Sequence, residues 1–546
     1  MEDFIKKYKN QLILFGFVIM TYFLYFHNIW AYQLLDVDET RYVDMSRVMH
    51  HTKDFLTLYL NNEYFFEKPP LYFWLENISF YIFNTINEFT ARVPGVIGTI
   101  TTSLILFLTV KKITKNKAHA IFSTLILMTS IEYIVLSKIA ILDILLSNTV
   151  TLSVLCGFMT FFSKEKHKKY FWWGFYIFSG FAILAKGIPG LIVPFASMFI
   201  IGLYTKKLKE YFKPKYFIVG LIFFFLIILP WHIIMFKIHD PLFFKEYIIK
   251  HHIERFLGGE IIHRDEPFWF YIVTIIWGLM PYTPNLITLF IEKLKKIKDF
   301  KYAKFDDMSN TSKLITLSSI TAIVIFLFFT SSSTKLITYI LPIYPYLAII
   351  LGKYWQEYID NNEHKKYIEI PTVILNSLYI LAGIVFPFVI FFISEPLKSD
   401  LMLLFPAASI IAITFPLFGI IAIKKQKRIW VLLSYVFMLT STSAFIFNSA
   451  LNLDYRFGQN DLVEFAKYAK ENNLNISTFE TGKRYSLNYY SEDNINYDID
   501  NPEMASILKD KTNIIVVRKK DKNKIKNKYE IITTGRKYLL IKGKIK

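Results

Sequence analysis

The feature that most constrains this chain is a series of apolar runs, each close to the length of a membrane-spanning helix, separated by short basic blocks. A bilayer core takes about 20 apolar residues per helix. By that ruler a first span falls near 12–31, after Lys6, Lys7 and Lys9, and with no small-residue cleavage site behind it the segment reads as an uncleaved anchor. Further spans are expected near 93–110, 118–136, 144–162, 170–185, 189–204, 216–236, 269–291, 314–330, 339–352, 370–394, 402–423 and 429–449. That makes about thirteen. The composition agrees, with 53% hydrophobic residues, 18% aromatic residues and a mean hydropathy of +0.35, above that of soluble domains.

Lys and Arg (63) outnumber Asp and Glu (44), giving a net charge of +19. Most of these cations flank apolar runs instead of forming a soluble basic face, so nucleic acid is not expected as a partner. Cys156, the single cysteine, lies in an apolar run. It permits no intrachain disulfide and does not suggest a thiolate metal site or a Cys nucleophile.

Basic blocks occupy alternate loops: Lys111–Lys117, Lys164–Lys169, Lys206–Lys215, 293–304, Lys353 with Lys365 and Lys366, and Lys424–Arg428. The positive-inside bias assigns these, with the N-terminus, to the cytoplasm. An odd number of spans then puts the tail outside. The expected organisation is a multi-span domain over 1–450 and a small soluble α+β domain over 451–546, with strands at 513–518 and 529–533, a helix at 460–471 and a solvated turn at 519–528.

The outward loops hold the ionisable residues. Loop 32–92 carries Asp36, Asp38, Glu39, Arg41, Glu67, Lys68 and Arg92, and its residues 39–51 fit an amphipathic helix at the interface. Acidic residues at a helix start also have a plain role in capping and in complementing the dipole. Lys138 and Asp143 follow, then Lys186, then loop 237–268 with His251, His252, Glu254 and Arg255, then Lys335 and Tyr339. Each lysine taken singly is also suited to snorkelling toward headgroups. The adjacent His251 and His252 point apart on a helix and do not make a metal site. Together, carboxylates able to take a proton and cations able to hold phosphate describe group transfer from a lipid phosphate.

The strings Asp38-Glu39-Thr40-Arg41-Tyr42, Phe66-Glu67-Lys68-Pro69, Leu142-Asp143, Leu184-Ala185-Lys186-Gly187, His252-Ile253-Glu254-Arg255-Phe256, Pro267-Phe268-Trp269 and Lys335-Leu336-Ile337-Thr338-Tyr339 occur in that order. This set resembles the GT-C glycosyltransferases of the lipid A aminoarabinose transferase and protein O-mannosyltransferase group. The resemblance implies an all-α polytopic fold in a bacterial inner membrane, with the active site and the tail in the periplasm. It also implies transfer of a sugar from a polyprenyl-phosphate donor to lipid A, another glycan or a protein, with no cofactor.

Residue by residue, the resemblance makes Asp38 and Asp143 catalytic. It gives Lys68, Arg255 and Tyr339 contacts to the carrier phosphate, with Arg41 a further candidate. Lys186 and Lys335 lie in its motifs as substrate-binding candidates, and Glu39 and Glu67 are further ones; Glu67 sits where some members have been associated with a metal, and none is assigned here. Pro70-Leu71-Tyr72 and the extra carboxylate Asp36 depart from the lipid A enzymes, so neither sugar nor acceptor is specified. A transporter or flippase is the rival class; it calls for ionisable or helix-breaking residues near mid-span in two related halves, a pattern not found here.

Overall fold

Arg92 opens the construction of the fold, because a guanidinium in a membrane-protein interior needs every donor met. The computed structural model describes residues 9–254, 266–295, 304–393, 397–402, 404–447 and 459–543. Arg92 lies in the first turns of the Glu88–Thr114 helix, which Asn87 starts with a capping box. Its side chain is fully buried and binds Glu39 through Nε and Nη2 at 2.7 and 2.9 Å. The remaining donors go to the carbonyls of Ile29, Tyr32 and Gln33. Glu39 in turn accepts from the backbone N–H groups of Leu35 and Ala140. The end of the first apolar segment, the first loop, the second span and the 138–141 turn therefore meet at one ion pair.

Each of the thirteen expected spans overlaps a helix, but fewer are long enough to cross a membrane unbroken. Eight helices among the described residues pass by length and composition, or up to ten if each of two bent pairs is one span. Lys117–Met128 with Ile131–Ser137 turns by 61°, and Phe270–Gly278 with Thr283–Lys295 by 118°. Leu14–Phe26 and Ile188–Tyr204 are shorter apolar helices. Glu165–Lys186 begins with the polar turn Glu165-Lys166-His167-Lys168-Lys169.

The loops sort into two groups that touch only within themselves in the contacts described here. Lys207 pairs with Asp306 at 2.5 Å, Lys215 with Glu165 at 3.1 Å, and Lys168 with both Glu165 and Glu210. These are the basic loops that the charge pattern assigns to one side. Loop 32–92, the 138–143 turn and Lys186 gather with the tail at the other end.

The helix Asp38–Thr52 is where the sequence expects one, and its apolar face is packed within the protein. Tyr42, Val43, Met45 and Met49 are buried, as are its polar residues Glu39, Thr40, Asp44 and Ser46. They pack against the Leu71–Phe83 helix and the tail's Tyr485 and Tyr489. A short hairpin, β1 (Tyr59–Leu60) and β2 (Glu63–Tyr64), lies between the two helices.

The tail is α+β as expected, with two strands the sequence reading omits. Its strands are β3 (Asn475–Phe479), β4 (Asn513–Arg518), β5 (Tyr529–Thr534) and β6 (Tyr538–Gly543), in the order β3-β4-β6-β5. β3 is parallel to β4, and the other pairs are antiparallel. Alternate residues of β4 feed two cores: Ile514 and Val516 pack with the Gln459–Glu471 helix, Ile515 and Val517 with Met504 of Asn501–Ile507. The 519–528 stretch starts as a short 3-10 helix, Lys519–Lys524. The expected boundary at 450 lies outside the described residues.

The tail is fastened to the first loop by polar bonds. Asp36 accepts from the Ser486 N–H at 2.9 Å and hydroxyl at 2.6 Å, and from Thr40 at 2.5 Å. Tyr490 donates to Glu88 at 2.8 Å, and the Asn61 side-chain oxygen accepts from Ile495 N–H and Asn488.

Two expectations follow. Glu39→Gln leaves Arg92 buried without its counter-charge and should lower stability by about 3–5 kcal/mol; thermal unfolding of the purified protein checks this, and an unchanged midpoint contradicts it. Burial raises the Asp36 pKa above its ordinary value, against the opposing effect of the Ser486 and Thr40 bonds and of Arg484. A raised folded-state pKa contributes stability that is present below the ordinary Asp range and lost as pH rises through the raised value. Hydrogen exchange in Ser486–Ser491, corrected for intrinsic rates, should therefore quicken from acid to neutral pH, and Asp36→Asn should flatten the profile.

Candidate active site

Asp143 and Lys186 meet because two antiparallel helices present opposite ends at the same level. Asp143 lies in the first turn of Leu142–Phe162, and Lys186 ends Glu165–Lys186. Each charge complements the dipole of its own helix, and the two form an ion pair with little exposure. Gly187, at φ +78°, reverses the chain directly after Lys186. This is a conformation that side chains other than hydrogen resist. Gly190 lets the next helix return closely, since a Cβ there would lie 2.2 Å from the Ala182 carbonyl carbon.

The Lys186 ammonium also sits 4.2 Å from the centre of the Tyr339 ring, a cation–π contact. Tyr339 comes from the 3-10 turn Ile337–Ile343, which precedes the Tyr344–Asn361 helix. Glu67 and Lys68 arrive from the first loop. Phe66 anchors them in a cluster with Leu184, Trp231, Phe243 and Tyr247, while Pro70 caps the next helix. Lys68 lies 3.8 Å from Glu67 and is largely buried.

These groups surround one cavity of about 310 Å3. Its walls are apolar, with Leu146, Ile188, Ile192, Phe328 and Phe329. Its polar lining comprises Glu67, Lys68, Lys186, His251 and Tyr339, with Ser332 and Thr334. An apolar hollow with cations among its polar groups suits an amphipathic anion.

Asp38 and Arg41 do not line it, but Arg41 interacts electrostatically with Glu67, which does. The Asp38 and Arg41 side chains pair at 2.6 Å, with Asp38 59% exposed and so open to an incoming group. Arg41 also donates to the Tyr42 hydroxyl at 3.1 Å and lies over the Phe65 ring. Burial raises the Tyr42 pKa; Arg41 opposes this, while Asp38, Asp143 and Glu67 add to it. One phenol thus feels the carboxylates of both halves of the site. The sequence reading gives Tyr42 only a packing role, and its place after Arg41 in the Asp38–Tyr42 motif was the available signal.

Not every candidate converges. Glu39 is the partner of Arg92 and does not line the cavity. Lys335 is buried but does not line the cavity, which takes Ser332, Thr334 and Tyr339 from its segment. Arg255 lies outside the described residues, as does part of loop 237–268; the described part includes the π-helix Phe244–Glu254. The carboxylate and histidine group close enough to share an ion among the described residues, Glu357, Glu363 and His364, contains none of these site residues.

The overall fold matches that of solved ArnT structures. The crystal structure of ArnT from Cupriavidus metallidurans bound to undecaprenyl phosphate superposes with a TM-score of 0.77 at 17% identity, covering 97% of this chain and 98% of that one. Residues 10–244 match the family model described as dolichyl-phosphate-mannose-protein mannosyltransferase. The chain is 27% identical over 349 residues to the undecaprenyl phosphate-alpha-4-amino-4-deoxy-L-arabinose arabinosyl transferase 2 of Proteus mirabilis, covering 63% of this chain and 59% of that protein. It is 28% identical over 383 residues to the corresponding transferase of Wigglesworthia glossinidia brevipalpis, covering 68% and 62%. The chain thus spans about three fifths of the length of the curated relatives it matches. The chain is thus similar in sequence to these transferases over part of its length and shares its fold with the solved ArnT.

Proposed function

We propose that this protein transfers a sugar from a polyprenyl phosphate to an acceptor on the extracytoplasmic face, with lipid A or a related envelope glycolipid as acceptor. The observation that carries the reading is the apolar cavity with Lys68, Lys186 and Tyr339 among its polar lining. The prenyl chain takes the apolar walls and its phosphate takes the cations. The relatives' names supply the carrier class and the aminosugar as the first donor to test. Residues 1–450 form the membrane unit and 451–546 the outer domain, with the N-terminus in the cytoplasm. Supporting this orientation, the basic loops meet at the end away from the site.

In the reaction, an acceptor oxygen attacks the anomeric carbon as the bond from that carbon to the phosphate oxygen breaks. Negative charge grows on the departing lipid phosphate, and Lys68 and Lys186 stabilise it more in the transition state than in the ground state. Arg255 joins them by resemblance. Asp38 takes the proton of a hydroxyl acceptor, or orients an acceptor phosphate that is already ionised. Attack opposite the leaving phosphate inverts the anomeric centre. Asp143 holds Lys186 in place through their ion pair.

Asp38→Asn should abolish transfer while leaving expression and the unfolding midpoint unchanged, because Asp38 is exposed; full activity in that variant overturns its role. Lys186→Met should weaken binding of polyprenyl phosphate by about ten- to a hundredfold, the worth of a hydrogen bond to a charged group, read by titration in detergent. The function itself is tested by mass spectrometry of lipid A, surface glycans and exported proteins after gene deletion and after restoration with wild type or Asp38→Asn. One sugar adduct lost and rescued only by wild type names sugar and acceptor together. No change in any glycoconjugate, with the donor present, refutes the transferase.

A further inference from the structure

A second concavity runs along the seam between the tail and the Asp38–Thr52 helix. Two adjoining hollows, of about 590 and about 310 Å3, share Arg47, His51 and Glu492. No residue lines both this cleft and the apolar cavity. Its chemistry is also different. Arg47 is fixed from behind by the buried Asp44, whose Oδ1 accepts from Nε and Nη2 at 2.9 and 2.7 Å. The Nη1 group takes no part in that pair. Across the seam, the tail supplies Lys467, Lys470, Glu471, Tyr489 and Tyr490. Lys467 lies 5.8 Å from the centre of the Tyr490 ring, and Lys470 pairs with Glu492 at 2.7 Å.

Cations and carboxylates alternate in this lining, which leaves it without the strong single-sign field that a polyanion needs. It also lacks the continuous apolar walls of the donor cavity. Hydroxyls both donate and accept, so mixed charged groups beside a tyrosine face fit a polyol. Position supplies the rest of the argument. Asp38 opens the helix that forms one wall, and Arg47 follows nine residues later, about 14 Å along the axis by helix rise. The seam therefore lies on the helix that begins with Asp38, about 14 Å along it and half a turn round it.

We infer that the seam holds the core-sugar portion of the acceptor, beyond lipid A itself, with Arg47, Lys467, Glu471 and Tyr490 as its contacts. The inference rests on the proposed transfer reaction for the acceptor's identity. It gives the tail a recognition role in addition to its bracing of the first loop.

The test uses the full chain in nanodiscs and, as probe, the lipid-free core oligosaccharide released from lipopolysaccharide by mild acid. Binding is measured by saturation-transfer NMR. Wild type should bind, and the double variant Lys467→Ala/Glu471→Ala, altered only at exposed positions, should bind about tenfold more weakly, the worth of one or two hydrogen bonds to charged groups. KM for lipid A bearing its core sugars should rise by the same factor with kcat unchanged, and transfer to lipid A alone should not change. Absence of binding by wild type, or equal binding by the folded variant, overturns the inference. Binding that the variant loses, with no sugar transferred to any acceptor, keeps the carbohydrate site and overturns the transferase.

Discussion

The buried pair between Arg92 and Glu39 is the constraint on which the cavity end of the structure depends. A guanidinium and a carboxylate removed from solvent cost several kcal/mol each unless their bonding is complete, and here five groups of the backbone complete it. The neighbours of those groups are the candidate machinery. Asp38 precedes Glu39 in the chain, and Asp143 begins the helix entered just after Ala140. One structural carboxylate thereby fixes where two others stand, which separates its role from theirs although Asp38 and Glu39 are adjacent and of the same chemical kind.

The cavity shows how the bundle divides its labour. Helix ends supply the charged pair Asp143 and Lys186, whose dipole complementation would suit any helix pair. Tyr339 and Lys68 come from irregular segments, where the chain is free to leave helical geometry and aim a side chain. Apolar side chains such as Ile192 and Phe329 serve the fold and the cavity wall alike. The same residues that satisfy the hydropathy of a span thus complete an apolar hollow with charged groups in its lining.

Much of this was legible in the sequence, for definable reasons. Apolar length and alternating basic loops report the bilayer directly, so every expected span fell on a helix and the loops sorted into two ends. The breaks at Thr129–Ser130 and Leu279–Tyr282 were not legible, since hydropathy is blind to direction. The pairing of Glu39 was not legible because its partner, 53 residues away, is a tertiary fact. Asp36 looked like a departure from a pattern, yet it is a bolt between domains. In the tail, β4 was visible as Asn513-Ile514-Ile515-Val516-Val517-Arg518, whereas β6, equally apolar at Tyr538–Ile541, was hidden among lysines. Tyr489 and Tyr490 gave no groove signal because the groove's other wall is Arg47 and His51, more than 400 residues earlier.

The bond from Asp36 to Ser486 joins positions 450 residues apart. During synthesis the first loop emerges early, yet the surface that covers one side of its helix follows some 450 residues later. Until the tail has folded, Tyr42, Met45 and Asp36 lack part of their packing and their hydrogen-bond partners, so the face that carries Asp38 is finished after the bundle beneath it. The tail thus acts as a keystone, and contacts of such long range make completion of this face a late event in the protein's maturation.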